Sequence, residues 1–169
     1  HGGWRIQRNA LTDHCRLLDP KNRRRAWGKY EQCLAEWNSL RQRLDVKPVS
    51  GRVVMLLHGL GRTRNSMAGL GRYLEMHGGF TVLSFSYAST RAGLSEHASA
   101  LARVIDRLGP EVQEIHFVAH SLGNLVIRRY LADCYRGVGG RKPDPRFRRM
   151  VMLGPPNNGA RFANWFDDH

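Results

Sequence analysis

Residues 115–130 read IHFVAHSLGNLVIRRY and combine a strand, a sharp turn and a helix in one short segment. The apolar, β-branched run before Ser121 is typical of a buried strand, and the apolar residues after it fall at helical spacing. Small residues stand two before and two after the serine, with Ala119 where the pattern G-x-S-x-G has its first glycine. A serine at the apex of a strand–turn–helix is the arrangement of a nucleophile elbow, and the helix N-terminus favours negative charge beside it.

Two further motifs stand in the same half of the chain. Residues 53–57, VVMLL, are a continuous apolar run of the kind expected for a parallel strand buried on both faces, and HGLG follows them. A third apolar run, 150–153, is followed by GPPNNG. The sequence contains no dinucleotide-binding glycine fingerprint and no phosphate-binding loop motif.

In these three motifs the chain resembles the α/β-hydrolase superfamily and, within it, the bacterial lipase and esterase group. The resemblance covers residues 51 to about 166. It implies an α/β fold of the α/β-hydrolase type, a parallel sheet with helices on both faces that is incomplete at the C-terminus. We expect strands near 53–57, 80–85, 114–118 and 149–153, because apolar runs alternate there with helical patterns. By resemblance, the 53–57 strand lies beside the strand that precedes Ser121.

The predicted organisation is a basic helical N-terminal extension, 1–48, followed by the N-terminal portion of a hydrolase domain, 49–169. Apolar residues between 23 and 44 keep a helical period, which predicts one long helix. We expect its Trp27 and Trp37 face to pack on the hydrolase core, the alternative being a stripe that touches a membrane. Cys15, Cys33 and Cys134 lack metal-ligand spacing and are interpreted as buried apolar residues, with a Cys15–Cys33 disulfide as the alternative.

Ser121 is the candidate nucleophile. The resemblance places the oxyanion hole at the backbone amides of Leu60 and Leu122, which would stabilise the negative charge of a tetrahedral intermediate. It gives His58 and His120 structural roles beside the site. The residues expected to support or line the site are His58, Gly59, His120, Tyr87 and Pro155, all of which follow predicted strands. His116 is interpreted as a sheet residue, and His77 and His97 as surface residues of helices.

The acid and the base of a catalytic triad have no convincing candidates. In this fold they follow the serine in the order acid, then histidine. The acids after Ser121 are Asp133, Asp144, Asp167 and Asp168, and the only later histidine is His169. None stands where the family has its acid or base, so we expect both in a C-terminal part beyond this chain and little activity in the chain as given.

The composition is strongly basic, with a net charge of +13 from 27 Lys and Arg against 14 Asp and Glu. We interpret this mainly as a solvated surface, with weak contact to an anionic membrane surface as the alternative and no nucleic-acid partner expected. The resemblance implies a carboxylic ester hydrolase of the lipase type, acting on small-molecule or lipid esters through an acyl-enzyme, with no cofactor and no metal. The alternatives are a non-catalytic binding protein of the same fold, and an acyltransferase or thioesterase. The cellular compartment stays open.

Overall fold

The structure is a computed structural model that describes residues 2–9, 12–90 and 92–157. The chain divides into two compact units, His1–Val49 and Ser50–His169. Each has its own secondary structure and its own buried apolar residues. We describe them separately below.

The first unit is a three-stranded antiparallel sheet with one helix. Strands β1 (Arg5–Arg8), β2 (Cys15–Leu18) and β3 (Arg24–Gly28) pair in chain order, and helix α1 (Tyr30–Arg43) follows. Alternate residues of a strand point to opposite faces of the sheet, so one face can be apolar while the other stays polar. The core consists of one residue set from the sheet and one from α1: Cys15, Leu17 and Cys33, with Trp4, Ile6, Ala26, Tyr30, Trp37 and Leu40 packed against them.

The prediction of a helical extension with one helix over 23–44 is wrong for its first part. Residues 24–28 form β3, and the helix begins only at Tyr30. Gly28 separates the two elements: its φ of 144° suits only glycine, and a Cβ there would lie 2.1 Å from the side-chain oxygen of Gln32. That same oxygen accepts a hydrogen bond from the backbone amide of Lys29 at 2.8 Å, which fixes the start of α1.

The expected shared face of Trp27 and Trp37 is therefore also wrong. Trp27 lies in a strand with 63% of its surface exposed, whereas Trp37 packs within the first unit, 5.2 Å from Trp4 between ring centroids. The cysteines behave as predicted, since Cys15, Cys33 and Cys134 are all buried and free.

The second unit alternates strands and helices. Its elements are β4 (Gly51–Leu57), α2 (Ala68–Gly78), β5 (Thr81–Phe85), α3 (Leu94–Ile105), β6 (Val112–His120), α4 (Leu122–Tyr135) and β7 (Phe147–Leu153), with 3₁₀ turns at Arg64–Met67 and Val138–Gly140. The strands form one parallel sheet in the order β5-β4-β6-β7. The predicted parallel sheet is confirmed, as is the position of β4 beside β6.

Helices cover both faces of this sheet. A Cβ on Gly71 of α2 would lie 3.3 Å from Leu56, and one on Gly123 of α4 would lie 2.9 Å from the Cβ of Leu57. Leu56 and Leu57 are neighbours in β4 and so point to opposite faces. The second unit therefore has an α/β fold, and the buried runs of β4 and β6 form its centre.

Among the residues that the structure describes, no helix has both the length and the apolar character needed to cross a membrane.

Candidate active site

Ser121 occupies the turn between β6 and α4 in an unusual backbone conformation. Its φ is 49° and its ψ is −117°, whereas His120 before it ends β6 and Leu122 after it begins α4. A residue other than glycine in such a sparsely populated region carries strain on the order of 1–3 kcal/mol, which the surrounding structure must hold in place. The half-buried serine thus lies at the carboxyl edge of the sheet, where ligands of open α/β sheets bind.

Asn124 fixes this turn to the end of β7, and its role was not foreseen from the sequence. Its fully buried side-chain amide donates to the carbonyl oxygens of Ser121 at 3.0 Å and Leu153 at 3.3 Å. The backbone amide of Ser121 also donates to the Leu153 carbonyl, at 3.0 Å. A signal existed, since Asn124 is a polar residue inside the apolar pattern of a helix, and buried polar groups need partners.

Gly123 explains why a small residue is needed two positions after the serine's predecessor. A Cβ at this position would lie 2.8 Å from the carbonyl oxygen of Leu57 and 3.1 Å from that of His58. Both atoms belong to the backbone and cannot move away cheaply. The absence of a side chain therefore lets α4 start directly against the end of β4.

The turn that follows β4 lies against Ser121. A Cβ added to Gly59 would be 3.2 Å from the Cβ of Ser121 and 2.7 Å from Nδ1 of His120. Leu60 follows in the same turn, and its amide donates no hydrogen bond to the described part of the chain. Leu122 is the first residue of α4, so its amide has no acceptor within the helix. The two amides expected to form an oxyanion hole thus belong to turns that meet at Ser121.

Two side chains from the segment after β5 hold the 58–61 turn at both ends. The hydroxyl of Tyr87 donates to the carbonyl oxygen of His58 at 2.5 Å, and the buried hydroxyl of Ser89 accepts from the amide of Gly61 at 3.1 Å. The rings of Tyr87 and His58 stack with centroids 4.4 Å apart. Burial raises the pKa of Tyr87, so the hydroxyl remains a donor at every pH at which the protein would be assayed. Tyr87 therefore supports the turn.

The histidines around this turn have different surroundings. His58 is buried, and its Nδ1 donates to the carbonyl oxygen of Gly59 at 2.9 Å, while its buried Nε2 has no partner among the described residues. His120 is exposed, next to Gly59. The surface position expected for His97 is wrong: it is buried, and its ring packs edge-on against Tyr87 at 4.8 Å. Burial lowers the pKa of His97, which keeps its ring neutral at neutral pH.

The described acids that follow Ser121 are engaged elsewhere. Asp133 pairs with Arg129 at 2.9 Å and lies eleven residues after Leu122 in α4, about 16 Å along the helix axis. Asp144 pairs with Arg146 at 2.7 Å, which lowers its pKa, and it precedes the opposite, amino end of β7. The other two acids and the terminal histidine lie in 158–169, outside the described residues.

Pro155 comes two residues after the end of β7, at the same edge of the sheet as Ser121, and is half-buried. Arg128 of α4 donates to Asn157 at 3.2 Å, which connects this segment to the helix that follows the serine. Within the described ranges, no three His, Cys, Asp or Glu side chains come together as a metal site would require.

Comparison with known proteins gives a family without an assigned function. A sequence model of the family described as "Domain of unknown function (DUF7379)" matches residues 23–166. No curated protein matches the chain. Among solved structures, the chain is similar to one titled "The crystal structure of the gene lin2722 products from Listeria innocua", at 19% identity and a TM-score of 0.52. The similarity covers 64% of this chain and 53% of that one, so the chain spans about half the length of the structure it matches.

Proposed function

The chain belongs to the DUF7379 family, and we propose that it is a serine hydrolase of the lipase and carboxylesterase type with an α/β-hydrolase fold. The observation that carries this proposal is the conformation of Ser121. It is a non-glycine residue with positive φ at a strand-to-helix turn on the carboxyl edge of a parallel sheet, with Gly59 against it. A strained turn of this kind exposes the serine hydroxyl to a substrate.

The proposed reaction is acyl transfer in two steps. The Oγ of Ser121 attacks the carbonyl carbon of a carboxylic ester, and a general base takes the hydroxyl proton. The oxyanion that forms receives hydrogen bonds from the amides of Leu60 and Leu122. The bond to the leaving alcohol then breaks, the alcohol takes the proton, and water releases the acid from the acyl-enzyme in the second step.

The described residues supply the nucleophile and the amides of this scheme more clearly than the base. Asp133 and Asp144 are paired with arginines, and the Nδ1 of His58 is bound to Gly59. A serine hydroxyl is a weak nucleophile until a base takes its proton. We therefore expect the 169-residue chain to turn over p-nitrophenyl esters slowly, at most on the order of 10³–10⁴ above water, as oxyanion stabilisation and binding alone achieve.

The test is covalent labelling of the 169-residue chain with a fluorophosphonate, followed by mass spectrometry of its peptides. The serine oxygen displaces fluoride from phosphorus, so the label reports the nucleophile directly. We expect one label, on Ser121, and none in a Ser121→Ala variant with unchanged circular dichroism. Ser86→Ala, which removes an exposed serine after β5, is the matched control and should label normally.

Other outcomes would redirect the proposal. No label above that of an unfolded control would favour the non-catalytic binding protein. Labelling of Ser121 without hydrolysis of any ester, but with transfer to a thiol or alcohol, would favour the acyltransferase or thioesterase alternative.

A further inference from the structure

The positive charge of the first unit is concentrated on its sheet. Residues 1–29 contain eight Lys and Arg against two Asp, whereas residues 30–49, which include α1, contain three of each sign. The net charge of +6 in this unit therefore comes from the strands and their connecting turns. An excess of one sign on one element creates a local field that attracts oppositely charged partners.

The two faces of this sheet differ in what they present. The cross-strand row Ile6–Leu17–Ala26 packs into the core that α1 completes. The next row, Gln7–Arg16–Trp27, points to the opposite face because side chains alternate along each strand. Arg16 and Trp27 in this row are both exposed.

Trp27 is an exposed indole held in a fixed position. Its exposed fraction is 63%, and the ring of His14 stacks on one of its faces, with centroids 4.8 Å apart and planes 8° from parallel. An indole combines a large apolar area with one polar N–H, which is why tryptophan is enriched where an apolar phase meets water. Exposing such a ring in this way needs a reason, because large apolar side chains are usually buried.

The arginines of β3 and of the turn before it remain available. Arg23 and Arg25 both pair with the single buried carboxylate of Asp19, each at 3.2 Å, so one negative charge is shared by two cations. Arg24 is exposed and forms no ion pair with any described residue. Arginine presents a planar set of donors that matches phosphate oxygens.

We propose that this basic sheet surface, formed by Arg16, Arg24, Arg25 and Trp27, binds the anionic phospholipid headgroups of a membrane. Clustered arginines are drawn to anionic headgroups, and an adjacent exposed tryptophan inserts at the interface. Charge complementarity and the exposed indole together specify a lipid surface. The inference concerns the first unit alone and stands whether or not Ser121 is catalytic.

A single-stranded nucleic acid fits the surface less well. Platforms for successive bases use several aromatic rings, each with an open face. Among the described residues of the first unit, Trp27 is the one exposed aromatic of large area, and His14 already covers one face of it. A base would have only one ring face to stack on.

The experiment is co-sedimentation of the full 169-residue chain with vesicles of ether-linked phosphatidylglycerol and phosphatidylcholine. Ether lipids contain no carboxylic ester, so binding is measured without hydrolysis and its result does not depend on the proposed reaction. We expect binding that requires phosphatidylglycerol and weakens as salt is raised. Arg24→Glu should reduce the binding constant on the order of tenfold, and Trp27→Ala severalfold.

Arg41→Glu is the matched control, because it makes the same change in net charge at an exposed position of α1. Circular dichroism and the melting temperature verify that each variant is folded. Equal losses in Arg24→Glu and Arg41→Glu would show that only net charge matters and would overturn the proposal, as would the absence of binding to anionic vesicles. So would tighter binding to a single-stranded oligonucleotide that depends on Trp27, which would assign the surface to nucleic acid instead.

Discussion

The strained backbone of Ser121 is stable only because its neighbours leave it no alternative. Asn124 and the Leu153 carbonyl hold the turn from one side, and Gly59 approaches it from the other. A conformation that costs on the order of 1–3 kcal/mol is retained at sites where geometry matters for function. Single substitutions around the turn should therefore have large and distinguishable effects.

Gly123→Ala should destabilise the protein. The new methyl group would stand 2.8 Å from the Leu57 carbonyl oxygen, closer than packed atoms approach, and relief requires backbone movement. We expect a loss of about 1–3 kcal/mol in the free energy of unfolding. The control is Gly69→Ala in α2, where a Cβ meets nothing within 4 Å and alanine should add about 0.5–1 kcal/mol. Denaturant titration measures both, and a neutral Gly123→Ala would contradict the close contact between α4 and β4.

Tyr87→Phe should slow the labelling of Ser121 without unfolding the protein. The variant keeps the ring stacked on His58 but removes the hydrogen bond to the His58 carbonyl, so the turn that carries Leu60 loses one anchor. We expect the unfolding free energy to fall by about 0.5–1.5 kcal/mol. The fluorophosphonate labelling rate should fall on the order of tenfold, since removing one oxyanion donor entirely costs about 10²–10³.

Tyr73→Phe is the control for this variant, because Tyr73 is an exposed tyrosine on α2 with the same hydroxyl to lose. An equal labelling rate in the wild type and in Tyr87→Phe would mean that the tyrosine only fills space.

At the scale of elements, the turn between β2 and β3 is organised by one buried carboxylate. Asp19 accepts backbone hydrogen bonds from Lys21 at 2.9 Å and Arg23 at 2.8 Å and ion-pairs with the Arg23 and Arg25 side chains. Burial opposes the ionisation of Asp19. The hydrogen bond from the Arg23 amide, the Arg23 charge, the Lys21 amide and the Arg25 charge outweigh burial, so its pKa lies below the ordinary 3.8.

Asp19→Asn should therefore lower the melting temperature at neutral pH and have less effect in acid. Because the folded-state pKa is depressed, the stabilisation by ionised Asp19 is fully present above the ordinary value near 3.8 and is lost as the pH falls through the folded-state pKa. Thermal unfolding of the wild type and the variant between pH 7 and pH 2 should give curves that converge at low pH. Asp45→Asn, at an exposed position after α1, should show no such convergence. A difference that stays constant over this range would assign the effect to packing instead.

At the scale of the whole molecule, the charge is high but one edge of the larger sheet is apolar. In the described sheet β7 is an edge strand, and Val151, Met152 and Leu153 are 49%, 46% and 38% exposed. An exposed apolar edge strand pairs readily with another chain. The net charge of +13 opposes such association, and salt screens that repulsion.

Val151→Lys should reduce the self-association of the 169-residue chain. A charge on an edge strand is the common device against edge-to-edge pairing, and the effect should be greatest at high salt, where the overall repulsion is weak. Light scattering at increasing protein concentration measures it. Met76→Lys, on the exposed side of α2, adds the same charge away from the edge. If both variants suppress scattering equally, net charge rather than the β7 edge controls association.

The sequence predicted the second unit well because its signals are local and strong. The strands observed at Gly51–Leu57, Thr81–Phe85, Val112–His120 and Phe147–Leu153 overlap the predicted runs, because strands of a parallel sheet covered on both faces are continuously apolar. His97 was misjudged because its burial depends on Tyr87, a residue from another segment. The period of α3 indicates its apolar face but not what packs against it.

In the first unit the same method failed, for an identifiable reason. Trp27, Tyr30, Leu34 and Trp37 fall at helical spacing by coincidence, although Trp27 belongs to a strand. The strands are short and rich in arginine, so neither a helical nor an alternating pattern is strong. Their pairing joins β1, β2 and β3 through contacts between distant residues, which no local period records.

The sequence by itself determined the parallel sheet and the position of Ser121 at the turn between a strand and a helix, because burial period and small-residue spacing are written along the chain. Only the tertiary structure decided that Gly59 lies against Ser121, that Asn124 and Tyr87 hold the two turns, and that the arginines and Trp27 share one sheet face. Each of these depends on which segments are neighbours in space. Strand order and register set those neighbours, and they are properties of the folded chain as a whole.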